Sequence, residues 1–172
     1  MSTTAAPLVR SFAPLFRADA RVLVLGSMPG TASLAAAQYY AHPRNAFWPI
    51  VGALFGFDPA SPYAARIRAL KAAGVALWDV LAACERPGSL DADIVPASET
   101  ANDIPGLLAA HPRIEVVFFN GGRAQASYRR HFGDTLRIDT LRLPSTSPAH
   151  ASRSIDAKLA AWRMVASRLG YA

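Results

Sequence analysis

The sequence has 172 residues, 52% apolar and 17% charged, a balance that suits one globular domain with a buried core and excludes a disordered chain. Its formal charge of +6 suits a polyanionic partner, because neutralised phosphates release counterions. No apolar run approaches the roughly 18 residues that span a bilayer, Met1–Pro7 lacks signal-peptide features, and the single Cys84 excludes an internal disulfide or a multi-thiolate metal site, so a reduced, cytoplasmic setting away from membranes is expected.

Residues 1–12 read as a flexible N-terminal tail ahead of one domain over 13–172. Arg21–Gly26 is a short apolar run ending in glycine, which reads as a buried strand. A Pro29-Gly30 turn follows, then a short helix over 32–38. Asn45 to Phe55 carries Phe47, Trp48, Val51, Leu54 and Phe55 at helical spacing, with Gly56 as its stop. Ser61-Pro62 opens the next helix as cap and first-turn proline, and Gly74 closes it. Val75–Trp78 is a second strand. Residues 83–101 lack periodicity and read as a long loop. A short helix over Ile104–Ala110, a third strand over Glu115–Asn120 and a helix from Gly121-Gly122 to Gly133 come next. Leu136–Leu143 supplies a fourth strand, and the last helix runs from about Ser154 to Leu169 with Ile155, Leu159, Trp162 and Val165 on its apolar face. Strands that alternate with helices predict an α/β fold with a parallel sheet covered on both faces. Sites in such sheets lie beyond the C-terminal strand ends.

Four segments fall at those ends. Gly26-Ser-Met-Pro-Gly30 offers backbone amides to an anion or carbonyl oxygen, or is simply a tight turn. The loop after Trp78 holds Asp79, which suits an acid–base role or, more simply, packing and a loop hydrogen bond. Asn120 can present an amide to a base edge or cap the following helix. Ser145, Thr146 and Ser147, between two prolines and before a helix carrying Arg153 and Lys158, suit phosphate oxygens, with His150 beside them. The densest patch is Tyr39-Tyr-Ala-His-Pro-Arg-Asn-Ala-Phe-Trp48. There Tyr40 suits a platform for a flipped base, and Asn45 either caps a helix or orients a water. There is no Gly-x-Ser-x-Gly elbow, no His-Glu-x-x-His helix and no Walker loop.

Gly26-Ser-Met-Pro-Gly30, Gln38-Tyr-Tyr-Ala-His-Pro-Arg-Asn45-x-Phe-Trp48, Gly74-Val-Ala-Leu-Trp-Asp-Val80, Phe119-Asn-Gly121 and Pro144–Ala149 resemble, in order and spacing, the motifs of the uracil-DNA glycosylase superfamily. The match is closest to its hypoxanthine-DNA (deoxyinosine) glycosylase branch, although Ala41-His-Pro-x-Asn45-x-Phe-Trp48 is also similar to mismatch-specific uracil/thymine glycosylases. The resemblance implies a three-layer α/β/α sandwich with a four-stranded parallel sheet. It also implies monofunctional base excision from DNA containing deaminated bases, with no cofactor, no metal and no obligate protein partner. By the same resemblance Asn45 is the catalytic residue, since Met28 stands where many members carry a water-positioning Asp or Asn. Gly26, Ser27, Met28, Tyr40 and Asn120 then bind the base. His42, Arg44, Ser145, Thr146, Ser147, His150 and Arg153 contact DNA, the 144–149 loop from the minor-groove side. Leu143 falls where some relatives have a polar group that helps the base leave. Rival readings are a uracil or mismatch-specific enzyme, an inactive damaged-DNA-binding protein, and an unrelated nucleotide-binding α/β enzyme.

Overall fold

The computed structural model describes residues 5–171. Four strands, β2 (Val22–Gly26), β3 (Val75–Asp79), β6 (Val116–Asn120) and β7 (Asp139–Leu143), form a parallel sheet in the order β3-β2-β6-β7. Side chains alternate across a strand, so each strand feeds two cores. Val22 and Val24 face one side with Val75, Leu77 and Phe118, against Phe47 and Trp48 of α2 (Phe47–Phe55), Leu70 of α3 (Tyr63–Ala72) and Trp162 and Val165 of α6 (Ile155–Arg168). Leu23 and Leu25 face the other with Ala76, Val117 and Phe119, against Ile104 and Leu107 of α4 (Ile104–Ala110) and Ala124 and Tyr128 of α5 (Gly122–Phe132). Helices thus cover both faces, as the alternating pattern predicts. A short α1 (Thr31–Ala36) follows β2.

Several boundaries move for physical reasons. The 83–101 segment is not a plain loop, because the chain runs from β3 through Val80 into β4 (Leu81–Glu85) without a turn. β4 leaves the parallel sheet and pairs antiparallel with β1 (Leu8–Arg10) on one side and β5 (Thr100–Ala101) on the other. Residues 8–12 are accordingly no loose tail: Val9 packs on the second core, and Ser11 N–H donates to the Ala82 carbonyl at 2.9 Å. The expectation for residues 1–4 lies outside the described residues. Ser61 does not cap α3, since Pro62 holds the N-cap position and the Ser61 hydroxyl donates to the Asp58 carbonyl. Ser154 does cap α6, accepting from Ala157 N–H at 3.2 Å, but Ile155 stands exposed and Lys158 shares the buried face.

The tryptophans anchor the connections near the strand ends. Trp48 Nε1–H donates to the Tyr39 carbonyl, Trp78 to Phe12 and Trp162 to Pro144, all at 2.8–2.9 Å. Each indole body is core while its N–H fixes a loop. None of the described helices is long and apolar enough to cross a membrane.

Candidate active site

The C-terminal ends of β2, β3 and β6 open into a cavity of about 630 Å³. Its walls come from the turn after β2, the segment before α2, the end of β3, the loop after β4, the end of β6 and the 144–150 loop. Of the residues singled out in the sequence, Gly26, Ser27, Met28, Tyr40, His42, Arg44, Asn45, Asn120, Ser145, Thr146, Ser147 and His150 all line it. Arg153 does not; it is exposed in the turn before α6.

The turn after β2 is strapped to the start of β4 by Val80 N–H to the Gly26 carbonyl at 2.8 Å and Leu81 N–H to the Ser27 carbonyl at 3.1 Å. Gly26 lies opposite Asp79 in the sheet register. A Cβ there would collide with Asp79 Oδ1 and come within 2.8 Å of the Tyr40 hydroxyl. Glycine at 26 therefore lets a carboxyl and a phenol converge on one strand end. Met28 is buried in the second core and lines the cavity with its apolar surface.

Tyr40 sits at φ 53°, a left-handed conformation costly for a residue with a Cβ. The neighbouring Tyr39 explains the constraint. Its ring is buried, its N–H donates to the Tyr63 hydroxyl at 2.9 Å, and its own hydroxyl donates to the Ala13 carbonyl at 2.8 Å. The Tyr40 ring stacks on Phe47 at 4.2 Å between centroids, so one of its faces is backed by the core. Its hydroxyl has no hydrogen-bond partner among the described residues. Burial, and then the charge of Asp79, push that phenol well above its ordinary range, with the Asn120 amide opposing. A buried orphan hydroxyl costs stability, so Tyr40→Phe is expected to melt at or above the wild-type temperature. If Tyr40 stacks the base, Tyr40→Ala should lose about 1–3 kcal/mol of substrate affinity. Binding assays on inosine-containing DNA check this, and unchanged affinity returns Tyr40 to a purely structural role.

Asn45 ends an irregular segment just before α2. Its Oδ1 accepts from Phe47 N–H at 2.9 Å, so it does shape the helix start. That bond uses one lone pair, and an amide oxygen has two. Three residues earlier, His42 Nδ1 accepts from Arg44 N–H at 3.1 Å. This bond leaves the neutral ring's proton on Nε2.

Asn120 and Thr146 form a closed pair. Asn120 Nδ2 donates to Thr146 Oγ1 and Thr146 N–H donates to Asn120 Oδ1, both at 2.9 Å. The Thr146 carbonyl accepts from Ala46 N–H at 3.0 Å, beside Asn45. Thr146 is only 1% exposed, so the expected phosphate contact gives way to an internal latch joining β6, the 144–150 loop and the start of α2. Gly121, at φ 95°, lets that loop approach; a Cβ would lie 2.9 Å from the Ser145 Cβ. Ser145 and Ser147 Oγ accept from Ser147 and Ala149 N–H, which leaves both hydroxyl protons to donate outward. Lys158, buried on α6, donates to the Ser147 carbonyl at 3.3 Å, and burial pushes its ammonium below the ordinary lysine range.

The wall from the loop after β4 has no signal in the sequence. Ser89 Oγ accepts from Thr31 N–H at 3.0 Å, and Asp91 Oδ1 accepts from the Ser27 hydroxyl at 2.6 Å. Behind them Arg123 donates to the Asp91 carbonyl and pairs with buried Glu99 at 2.8 Å, which also meets Ser127 and His131. Arg123 is therefore a strut rather than a solvated charge. Burial alone would raise the Glu99 carboxyl, but hydrogen bonds from Arg123, His131 and Ser127 hold it below its ordinary value.

Asp79 is the other group the sequence left undecided. It lies at the end of β3, is buried and lines the cavity, and its Oδ2 has no partner among the described residues. Burial first, then the charge of Asp91, raise it from 3.8 to about 7, with Arg86 opposing.

A family model for the uracil DNA glycosylase superfamily matches residues 13–166. A hypoxanthine DNA glycosylase of Methanosarcina barkeri is 37% identical over 116 residues, covering 67% of this chain and 72% of the relative. A second, from Methanosarcina acetivorans, is 35% identical over 145 residues, covering 82% and 87%. The fold matches a solution NMR structure of a Methanosarcina acetivorans protein provisionally described as a uracil DNA glycosylase. Its TM-score is 0.81 at 31% identity, with 96% of this chain and 100% of that chain covered. With motifs, fold and relatives in agreement, this chain belongs to the uracil DNA glycosylase superfamily.

Proposed function

We propose that this protein hydrolyses the N-glycosidic bond of hypoxanthine in DNA, the first step of repairing deaminated adenine. The observation that carries the reading is Asn45 at the wall of a strand-end cavity that also holds Tyr40 and the 26–30 turn. Both curated relatives carry the name hypoxanthine DNA glycosylase, which favours this base over uracil. The cavity's 630 Å³ falls within the roughly 300–1,000 Å³ of small-ligand sites.

The chemistry asks little of the protein as a base. Breaking the bond makes the sugar oxocarbenium-like, and water adds readily to so electrophilic a carbon. The second lone pair of Asn45 Oδ1 accepts one water proton and aims the oxygen at C1′. Its fixed bond to Phe47 N–H keeps that lone pair in place. Tyr40, backed by Phe47, stacks the flipped base. Backbone amides of Ser27 and Met28 face the charge that collects on the leaving base. The hydroxyls of Ser145 and Ser147, with His42, Arg44 and His150, hold the phosphates of the damaged strand. Asn120 serves this site through Thr146, by fixing the loop.

Oligonucleotides carrying one inosine, uracil, xanthine or thymine mismatch, in single and double strands, test the base assignment. Inosine is expected to be cut fastest under single-turnover conditions. A faster uracil or mismatch rate would replace the assignment, and tight binding without cleavage of any strand would make the protein a damage-binding module.

A further inference from the structure

The Asp79 carboxyl is not accounted for by packing. A buried carboxyl normally has partners for both oxygens. Here Asn102 Nδ2 bonds the Asp79 backbone carbonyl, not the side chain, and among the described residues Oδ2 has no partner. Gly26 is kept bare beside Oδ1, so the group stands at the cavity wall. Its neighbours from every side are known. The loop after β4 presents Asp91 and the buried Arg86, and the segment before α2 presents Tyr40, with Tyr39 behind it. Among the described residues Arg86 makes no ion pair with Asp79; its Nε donates to the Gly88 carbonyl and its Nη1 has no partner.

The leaving base sets the sign of the charge needed here. As the C1′–N9 bond breaks, its electron pair goes to the purine. Water adds its oxygen to C1′, and its proton ends on the purine. An ionised carboxylate at the wall would repel that developing charge, while a protonated carboxyl would stabilise it. Leu143, at the end of β7, is buried and offers no polar side-chain atom.

Resting on the proposed hypoxanthine reading, we infer that Asp79 acts in its protonated form, its carboxyl O–H donating a hydrogen bond to the purine as it departs. Burial and Asp91 raise its midpoint to about 7, so a substantial share of the donor form is present at neutral pH and nearly all of it at lower pH. Above that the donor is withdrawn and replaced by a like charge. Activity therefore falls as pH rises through about 7.

The test is the single-turnover rate on single-inosine DNA between roughly pH 5.5 and 8.5, for the wild type, Asp79→Asn and Asp79→Ala. Wild-type cleavage is expected to fall about tenfold per pH unit above the midpoint, as a titrating donor requires. Asp79→Asn, a donor at every pH, should lose that falling limb. Asp79→Ala should be at least about tenfold slower than wild type at low pH, in line with one lost electrostatic donor. His42 and His150 line the same cavity in all three proteins, so the comparison isolates Asp79. A limb that survives in Asp79→Asn, or an Asp79→Ala rate equal to wild type, overturns this inference alone. No wild-type cleavage at any pH overturns the functional reading and this inference with it. A carboxyl-carbon NMR titration of wild-type protein, free and bound to duplex DNA carrying an uncleavable 2′-fluoro-deoxyinosine, stands independently of how the variants fold. Bound DNA should raise the Asp79 midpoint, and an unmoved or lowered midpoint contradicts the inference.

Discussion

Asn45→Ala is expected to lose at least about a hundredfold in cleavage while still folding and binding DNA, because misplacing an attacking group by an ångström costs that much. The structure adds a complication. Asn45 Oδ1 also accepts from Phe47 N–H, so alanine removes a helix-start bond together with the water's acceptor. That bond is worth about 1 kcal/mol, in line with other side chains at helix starts. Asn45→Ser separates the two effects. Serine can accept from a nearby backbone N–H but is too short to reach the same water. Thermal melts should show alanine destabilised by about 1 kcal/mol and serine close to wild type, with both equally deficient in single-turnover cleavage. If serine restores cleavage along with stability, Asn45 is a structural cap and the catalytic role falls elsewhere. The helix bond leaves one lone pair and the Nδ2 group of Asn45, so one side chain has the capacity for the proposed catalytic role as well as the structural one.

Asn120→Ala is expected to lower stability by about 2–4 kcal/mol, since two hydrogen bonds disappear and a buried N–H of Thr146 is stranded. Cleavage should fall too, because Thr146 also holds Ala46 N–H next to Asn45. Urea melts report the stability loss as a lower midpoint at unchanged slope. Pairing Asn120→Ala with Thr146→Val in a double-mutant cycle isolates the hydroxyl bond, with an expected coupling of about 1 kcal/mol. The alternative gives a different pattern. If Asn120 reads the base edge instead, Asn120→Ala should lose cleavage at an unchanged midpoint, and the coupling to Thr146 should vanish.

These two residues illustrate what could be read from the chain. Helix spacing in Asn45–Phe55 and the apolar runs at Val22–Gly26 and Val116–Asn120 are local signals, and they yielded the elements and the sheet ends where the cavity opens. Strand β4 leaves no such local signal, because Leu81-Ala-Ala-Cys-Glu85 holds two alanines, starts without a turn, and pairs with a segment some seventy residues earlier. The wall at Ser89 and Asp91 went with it. Polar chemistry was legible as residue type but not as partnership. Asn120 was visible as an amide at a strand end, yet its partner Thr146 lies 26 residues away. The sequence places Thr146 among serines that suit phosphate contact, whereas its burial commits it inward. Asp79 was visible as a well-placed carboxylate, and only the fold shows that one oxygen lacks a partner. Arg123 is tied to Glu99, which lies in a stretch with no periodic signal.

The most direct test of the central claim is to follow the products from a duplex with one inosine, held with excess protein, by chromatography of the released base and by gel before and after alkali. Hydrolysis at the glycosidic bond predicts one equivalent of free hypoxanthine and an intact abasic strand that breaks only on alkali treatment. No released hypoxanthine, or a strand already nicked before alkali, would contradict it.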